Sequence, residues 1–248
     1  MSDNGHLLSV RSVSKNFGAV QALKDVSLDL DLGEVLALAG DNGAGKSVLI
    51  KIISGVHRPD SGRVTFDGKD VSFESPQEAR ALGIETIYQD LALADNLSIG
   101  ANIFLGREPK TKAFGFLPIL DRGAMAEAAR ETMSLLDFHT TRLEAPVAAF
   151  SGGQRQAVAI GRAIYWNAKL LIMDEPTAAL GVPEQRRVLN LVRSLKEQGK
   201  AVIFISHNLQ DIFAVADRIV VLRRGIEAGE RRPQETTQDE IIRLMVGS

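Results

Sequence analysis

The segment Gly40-Asp41-Asn42-Gly43-Ala44-Gly45-Lys46-Ser47 constrains this 248-residue chain more than any other stretch. It follows the pattern G-x-x-x-x-G-K-[ST], in which glycines let backbone N–H groups converge on phosphate oxygens. Lys46 adds a compact positive charge, and the hydroxyl of Ser47 can ligate Mg²⁺. The segment therefore predicts a polyphosphate site, against the alternative of a glycine-rich turn that holds no ligand.

The residues on both sides of this loop favour an α/β fold. Residues 34–39 form a short apolar run suited to a buried strand, and residues 48–54 have the composition of a helix. A helix that starts at the loop points its first N–H groups and its dipole at a bound anion. Val48, the residue after Ser47, is therefore counted with the phosphate-binding residues.

Composition narrows the class of protein. A chain of this length can bury the core of one large α/β domain. A net charge of −2 gives no basic footprint, so no nucleic-acid partner is expected, and the absence of cysteine excludes disulfides and thiolate nucleophiles. No secretory signal is visible and the apolar runs are strand-sized, so any membrane role is expected to be peripheral.

The pattern of apolar residues divides the chain into three stretches. Antiparallel strands and short elements are expected first, at residues 7–17, 21–32, 64–66, 76–82 and 83–88. Helices are then expected within residues 90–165, at 101–105, 122–136 and 154–166, interrupted by a mixed basic and aromatic loop at 109–118. Strands and helices alternate afterwards, at residues 169–173, 183–198, 201–205, 209–216, 218–222 and 239–246. That alternation is typical of a parallel sheet covered by helices.

Two carboxylates end the apolar run at residues 169–173. Asp174 fits the acid that holds Mg²⁺ beside a phosphate loop, and Glu175 fits the group that polarises or deprotonates the water attacking a γ-phosphate. The alternative is a pair of solvated acids at a strand end. We favour the catalytic interpretation, because open α/β sheets bind ligands at the carboxyl ends of their strands.

A second glycine-rich segment, Ser151-Gly152-Gly153-Gln154, precedes an expected helix. Ser151 with Gln154 three residues later is a capping box, which would simply start that helix. Two glycines cost helix stability of about 1 kcal/mol each, which a cap alone would not favour. The segment is therefore interpreted as a second anion site at a helix N-terminus.

Together these motifs resemble the ATPase subunit of ABC transporters. The matching features are the loop Gly40 to Ser47, Gln89 after a strand, Ser151 to Gln154, Asp174 with Glu175, and His207. The resemblance implies an α/β fold of the P-loop NTPase class and ABC type, with a mostly parallel sheet core, an N-terminal antiparallel β subdomain and an inserted α-helical subdomain. It implies one domain over residues 1–248, with the core and β subdomain at about 1–89 and 166–248 and the helical subdomain at about 90–165.

The resemblance also implies roles for individual residues. Two copies would pack head to tail, so that ATP on the phosphate loop of one copy meets Ser151 to Gln154 of the other. Phe17 resembles the aromatic that stacks on adenine, with a strand-core phenylalanine as the alternative. Gln89 resembles the residue that contacts Mg²⁺ and the attacking water and links to a membrane partner. His207 resembles the sensor of the γ-phosphate.

Two positions depart from the family pattern. Gly181 stands where the dimer-contact loop, residues 176–181, usually ends in aspartate, which puts its cross-dimer hydrogen bonds in doubt. Val48 stands where threonine is common, while Ser47 is intact.

The segments 40–46, 95–108 and 175–180 resemble the ATPases of bacterial monosaccharide importers of the ribose, xylose and fructose type. The implied partners are a second ATPase subunit, transmembrane permease subunits and, indirectly, a sugar-binding protein, with the chain peripheral on the cytoplasmic face of the inner membrane. Apolar residues after Gln89 fit either a groove for a permease helix or subdomain core; they are Leu91, Leu93, Leu97, Ile103, Phe104 and Leu105.

Two other functions are compatible with the same motifs. A soluble ABC ATPase acting on DNA or ribosomes would have tandem copies, a long coiled coil or a basic patch, and none is visible. An ATP-gated regulatory subunit with little turnover is supported by Gly181 alone, and Glu175 and His207 oppose it.

Overall fold

The computed structural model describes residues 5–113, 116–136, 138, 140–178 and 180–247. The strands of these residues are β1 (Leu8–Phe17), β2 (Val20–Leu30), β3 (Val35–Ala39), β4 (Ser61–Phe66), β5 (Lys69–Val71), β6 (Ile84–Ile87), β7 (Lys110–Ala113), β8 (Leu117–Leu120), β9 (Leu170–Asp174), β10 (Ala201–Ile205), β11 (Arg218–Arg223) and β12 (Ile226–Arg231). The helices are α1 (Lys46–Ile53), α2 (Pro76–Ala81), α3 (Ile99–Phe104), α4 (Arg122–Leu135), α5 (Gly152–Tyr165), α6 (Val182–Glu197), α7 (Leu209–Val215) and α8 (Gln238–Val246). Short 3₁₀ turns lie at Val147–Ala149 and Pro233–Glu235.

A six-stranded sheet in the order β12-β11-β3-β10-β9-β6 forms the centre of the molecule. All its pairs are parallel except β11 with β12. Every residue of β3 is buried, with Leu36 and Leu38 in one apolar cluster and Val35 and Ala37 in another. Because successive side chains of a strand point to opposite faces, both faces of this sheet are covered, as is usual for parallel strands.

Different elements cover the two faces. The antiparallel sheet, in the order β2-β1-β4-β5, shares one apolar cluster with α1 and one face of the central sheet. Residues of α5, α6, α7 and α8 share the other cluster with the opposite face. The phosphate loop therefore starts from a strand that is fixed on both sides.

A third apolar cluster joins α3, α4 and α5. Asn102 in α3 is fully buried, and its side-chain amide orders the segment before the helix. Its Oδ1 accepts from the N–H of Ala94 at 2.7 Å, and its Nδ2 donates to the carbonyl oxygens of Ala94 and Ser98, each at 3.0 Å. Trp166 ties α5 to α3, because its indole N–H donates to the carbonyl of Ile103 at 3.0 Å.

The structure differs from the sequence-based expectation at residues 109–118. The expected loop is a hairpin in which β7 pairs with β8, although Phe114 and Gly115 lie outside the described residues. Sequence periodicity missed it because β8 is exposed on both faces, so its residues do not alternate between apolar and polar. None of the helices of the described residues is long and apolar enough to cross a lipid bilayer.

The helix starts also differ from expectation. Helix α1 begins at Lys46 rather than Val48, after Gly45 in a left-handed conformation, and α3 begins at Ile99, where the hydroxyl of Ser98 caps it. The cap satisfies a backbone donor that the helix itself leaves free.

The turn between β11 and β12 holds the phosphate loop in place. The N–H of Gly225 donates to the carbonyl of Ala44 at 3.0 Å, and its own carbonyl accepts from the N–H of Lys24 at 2.7 Å. Gly225 has a φ of +80°, and a Cβ there would lie 2.7 Å from the carbonyl oxygen of Ala22. The loop, β2 and the β11–β12 turn thus meet at one glycine.

We predict that Gly225→Ala destabilises the chain more than Gly199→Ala. Both glycines have positive φ, at +80° and +76°, but a Cβ on Gly199 has no neighbour within 4 Å. Alanine costs about 1–2 kcal/mol at either site for its backbone conformation. The collision at Gly225 adds a further 1–3 kcal/mol or so. Urea unfolding measures the difference, and equal midpoints for the two variants would contradict it.

Candidate active site

Four of the features expected to carry chemistry lie at one edge of the central sheet. The phosphate loop follows β3, Asp174 ends β9, His207 comes two residues after β10, and Gln89 comes two residues after β6. These strands run parallel, so their carboxyl ends share an edge. This is the edge at which open α/β sheets bind ligands.

The phosphate loop presents unpaired backbone donors. Within the described chain, the N–H groups of Gly43, Gly45 and Lys46 make no hydrogen bond. Gly45 has a φ of +106° and starts α1 without a side-chain cap. Asp41, Asn42 and Gly43 are exposed. An anion at this helix start would satisfy donors that the fold leaves free.

Lys46 and Val48 lie in the first turn of α1. The ammonium group of Lys46 donates to the carbonyl oxygens of Gly40 and Asp41, at 2.5 and 3.1 Å. Val48 packs its side chain against the apolar core, and its N–H donates to the carbonyl of Gly45 at 3.1 Å. Replacing the commoner threonine with valine is therefore compatible with the packing here.

Lys46 and the two carboxylates of the site affect one another's ionisation. Burial lowers the pKa of Lys46, and the carboxylates of Glu175 and Asp174 act in the opposite direction. Burial raises the pKa of Asp174, and the adjacent Glu175 raises it further, while Lys46 lowers it. A divalent cation beside Asp174 would favour its ionised form.

The side chains expected to hold Mg²⁺ offer the oxygen ligands that this ion prefers. They are the exposed hydroxyl of Ser47, the carboxylate of Asp174 and the exposed amide of Gln89. No three His, Asp or Glu side chains of the described chain lie close enough to hold a metal by themselves. The residues therefore fit an ion that takes its other ligands from phosphate and water.

Glu175 and His207, which are predicted separately from the sequence, are in contact. The Nδ1 of His207 lies 2.8 Å from Oε2 of Glu175, and the His207 N–H donates to the same oxygen at 3.4 Å. Glu175 has a φ of +52°, unusual for a residue with a side chain, and its N–H donates to the carbonyl of Ile205 at 2.9 Å. Strained residues of this kind cluster at functional sites.

Phe17 is not a residue of the strand core. It lies at the end of β1 with 45% of its surface exposed. His57 packs against it edge to face, with ring centroids 5.2 Å apart, and the ammonium of Lys15 lies 5.7 Å from the ring centroid. The ring keeps free surface for a further stacking partner.

The segment Ser151 to Gln154 forms the capping box in full. The N–H of Gln154 donates to the Ser151 hydroxyl at 3.4 Å, and the N–H of Ser151 donates to the Gln154 side chain at 2.9 Å. The glycines also have a packing role, since a Cβ on Gly152 would lie 2.9 Å from Leu180 and one on Gly153 would lie 2.7 Å from Glu184. In the described chain, no hydrogen bond or ion pair joins this segment to the phosphate loop.

The comparison with known families decides the class of protein. The family model described as ABC transporter matches residues 23–178. This chain belongs to the ABC transporter family.

Curated relatives of this ABC protein cover nearly its whole length. The xylose/arabinose import ATP-binding protein XylG of Sulfolobus acidocaldarius is 51% identical, over 99% of this chain and 94% of its own length. The fructose import ATP-binding protein FrcA of Rhizobium meliloti is 45% identical, over 98% of this chain and 94% of its own length. A ribose import ATP-binding protein of Streptomyces coelicolor is 46% identical over 99% of this chain, but the match spans only 48% of that relative.

Solved structures of ABC proteins have the same fold. The ADP conformation of an ATP-binding cassette from an ABC transporter has a TM-score of 0.82 and 27% identity, and the match covers 98% of this chain and 99% of the other. A nucleotide-free cassette has a TM-score of 0.81 and 28% identity, over 98% and 96%. The expected fold class, a mostly parallel P-loop sheet with an antiparallel sheet and helices, is confirmed.

Sequence reasoning missed two contacts that support the ABC site. The hydroxyl of Thr177 donates to the carboxylate of Asp211 at 2.7 Å, and both residues are buried. This bond joins the segment after Glu175 to the helix after His207. The guanidinium of Arg155 pairs with Asp95 at 2.6 Å, which links the start of α5 to the segment after Gln89. Neither pair has a sequence signal, because its members are 34 and 60 residues apart.

The dimer-contact loop and the apolar residues after Gln89 also have defined positions. Gly181 is the N-cap of α6 and provides no side-chain cap, while Ala179 lies outside the described residues. Ile103 and Phe104 are buried in the helical cluster, and Leu105 is exposed. Leu91, Leu93 and Leu97 are half-buried. Burial therefore supports the core interpretation for Ile103 and Phe104, and a groove for a permease helix stays a prediction for the other four residues.

We predict that Thr177→Val lowers stability by about 1–3 kcal/mol, because it leaves the Asp211 carboxylate buried without its donor. Thr65→Val is the matched control: Thr65 is also buried and donates to Asp70 at 2.9 Å, but Asp70 is exposed and water can replace the hydroxyl. Urea unfolding compares the variants, and ATP turnover should fall further in Thr177→Val. An equal loss of stability in both would contradict the role of the buried bond.

Proposed function

We propose that this ABC protein is the ATP-hydrolysing subunit of a transporter that imports a monosaccharide. The contact between Glu175 and His207, at the strand edge that also carries the phosphate loop, is the observation that supports hydrolysis most directly. The relatives named as xylose/arabinose and fructose import ATP-binding proteins support a sugar as the cargo.

In this proposal, the phosphate loop binds the β- and γ-phosphates of ATP. The unpaired N–H groups of Gly43, Gly45 and Lys46 donate to phosphate oxygens, and the Lys46 ammonium moves from the loop carbonyls to the phosphates. Phe17 stacks on the adenine ring. Mg²⁺, held by Ser47, Asp174 and Gln89, would neutralise phosphate charge as the terminal bond breaks.

Glu175 acts as the proton acceptor. As the water oxygen bonds to the γ-phosphorus and the bond to ADP breaks, the water proton passes to the Glu175 carboxylate. His207 contacts the same carboxylate oxygen and is largely exposed, so it can orient Glu175 and also reach the γ-phosphate. The strained backbone at Glu175 holds the carboxylate in this position before ATP binds.

The site on one chain is incomplete in this proposal. Ser151 to Gln154 begin a helix that makes no hydrogen bond with the phosphate loop of its own chain within the described residues. A head-to-tail dimer would place this helix start on the γ-phosphate of the second copy. ATP binding would then close the dimer, and hydrolysis would reopen it.

The remaining partners follow from the same proposal. Two ATPase subunits would sit on the cytoplasmic face of the membrane and move separate transmembrane permease subunits, which receive the sugar from a binding protein. The chain would act as one ABC domain, with a core and β subdomain at about residues 1–89 and 166–248 and a helical subdomain at about 90–165. Exposed Leu105 and the segment after Gln89 would face the permease.

We predict that Glu175→Gln lowers ATP turnover by roughly 10²–10⁴-fold while nucleotide binding persists. The amide cannot accept the proton, but it leaves the phosphate loop unchanged, so a nucleotide-bound dimer should accumulate. Turnover and uptake of labelled xylose, fructose and ribose are measured in proteoliposomes with the permease subunits. Glu197→Gln, an exposed change on α6, is the control.

Turnover of Glu175→Gln equal to that of the unchanged chain would contradict hydrolysis by Glu175 and favour a regulatory subunit. Normal ATP turnover without uptake of any of the three sugars would leave the proposal of ATP hydrolysis intact. It would contradict the proposal that the cargo is one of these monosaccharides.

We predict that two inactive variants restore activity when mixed. Lys46→Ala removes the phosphate-binding charge, and Ser151→Asp keeps a good helix cap while its charge repels phosphate. A mixed dimer contains one site with an intact loop and an intact Ser151 segment, so turnover should exceed that of either variant alone. Ser151→Asn, which keeps the cap without the charge, should remain active. The absence of any gain on mixing would contradict a site shared between two chains.

A further inference from the structure

The hairpin of β7 and β8 has no part in the ATPase proposal. It lies between α3 and α4, and its two strands pair only with each other. The N–H of Asp121 donates to the carbonyl of Pro109 at 2.9 Å and closes its base. A two-stranded ribbon with solvent on both sides is marginally stable in water, so another surface would be expected to cover it.

Four apolar side chains of the described hairpin residues are exposed. Phe116 is 79% exposed, and Leu117, Ile119 and Leu120 are 49%, 44% and 47% exposed. Single exposed apolar residues are ordinary, but contiguous apolar patches mark sites of interaction.

These apolar residues lie on both faces of the ribbon. Ile119 pairs with Thr111, and Leu120 pairs with Lys110. Directly paired residues share a face and neighbours along a strand alternate, so Leu117 and Ile119 lie on one face and Leu120 on the other. A protein surface packed on one face would leave the other face in water. The boundary between lipid headgroups and acyl chains can surround both faces.

The charge of the hairpin fits an anionic surface. Lys110 and Lys112 are exposed, and the described residues of the two strands and of Phe116 include no acid. The acids at the base are engaged in backbone hydrogen bonds, since Glu108 accepts from the N–H of Gly106 and Asp121 from that of Ala124, both at 2.9 Å. Lysines beside apolar side chains are typical of segments that bind anionic lipid.

We propose that the β7–β8 hairpin inserts into the headgroup region of an anionic lipid bilayer. This contact goes beyond the proposed ATPase function and would be made beside the permease subunits rather than through them. The chain should bind lipid without ATP and without permease subunits. A test of lipid binding can therefore fail or succeed independently of a test of ATP hydrolysis.

Sedimentation of the full chain with lipid vesicles tests the proposal. We expect binding to phosphatidylcholine vesicles that contain phosphatidylglycerol, weaker binding at high salt, and little binding to phosphatidylcholine alone. Lys110→Gln with Lys112→Gln should weaken binding about 30-fold. Leu117→Ser with Ile119→Ser on one face, and Leu120→Ser on the other, should each weaken it at least about fivefold.

Matched changes elsewhere serve as controls. Leu32→Ser and Lys69→Gln alter exposed residues outside the hairpin and should leave vesicle binding unchanged. Urea unfolding and basal ATP turnover establish that every variant folds. Failure to bind anionic vesicles, or binding that the hairpin variants do not change, would overturn the proposal. Vesicle binding that is weakened by the variants of one face only would overturn the proposal in favour of contact with a protein. So would a loss of permease-stimulated ATP turnover in the hairpin variants if the unchanged chain does not bind vesicles.

Discussion

The unpaired N–H groups of the phosphate loop are the constraint on which the rest of the structure depends. An amide donor without a partner costs free energy wherever water cannot reach it, so the fold must hold the loop open against collapse. Gly225 does this by bonding to the carbonyl of Ala44, and a side chain on Gly40 would collide with the carbonyl of Leu222. Both contacts come from β11 and its turn, and β11 is the strand that pairs directly with β3.

The order of the strands produces the contact between Glu175 and His207. Strands β9 and β10 are parallel neighbours, and Ile205 is in register with Asp174. The residues that follow the two strands therefore emerge side by side. The positive φ of Glu175 turns its N–H toward the carbonyl of Ile205, and its carboxylate then meets the His207 ring. The hydrogen bond from the Glu175 N–H to the Ile205 carbonyl therefore continues the pairing of β9 with β10. It also sets the position of the proposed catalytic carboxylate of Glu175.

Sequence patterns predicted the fold where burial is regular. A fully buried strand such as residues 201–205 is recognised by its continuous apolar run, and a long amphipathic helix such as residues 183–198 by its periodicity. The glycine loop is recognised by its residue types alone. The β7–β8 hairpin escaped prediction because neither face is buried, and the bond between Thr177 and Asp211 escaped because it depends on tertiary packing between residues 34 positions apart. The separate motifs of the site can therefore be predicted from the sequence. The contacts that hold those motifs together cannot.

The glycines of the segment 151–154 show how a sequence argument can be incomplete. Their cost to helix stability indicates an anion site, yet Gly152 and Gly153 also lie close to Leu180 and Glu184, where a side chain would need its neighbours to move. A side chain on Gly153 would meet Glu184 of α6, and one on Gly152 would meet the end of the Leu180 side chain, so a loss of activity in either variant would not separate packing from phosphate binding. Ser151 is exposed and caps the helix through its hydroxyl. Aspartate and asparagine both preserve that cap and differ in charge. The pair therefore isolates the electrostatic part of the segment's role, which substitution of the glycines cannot do.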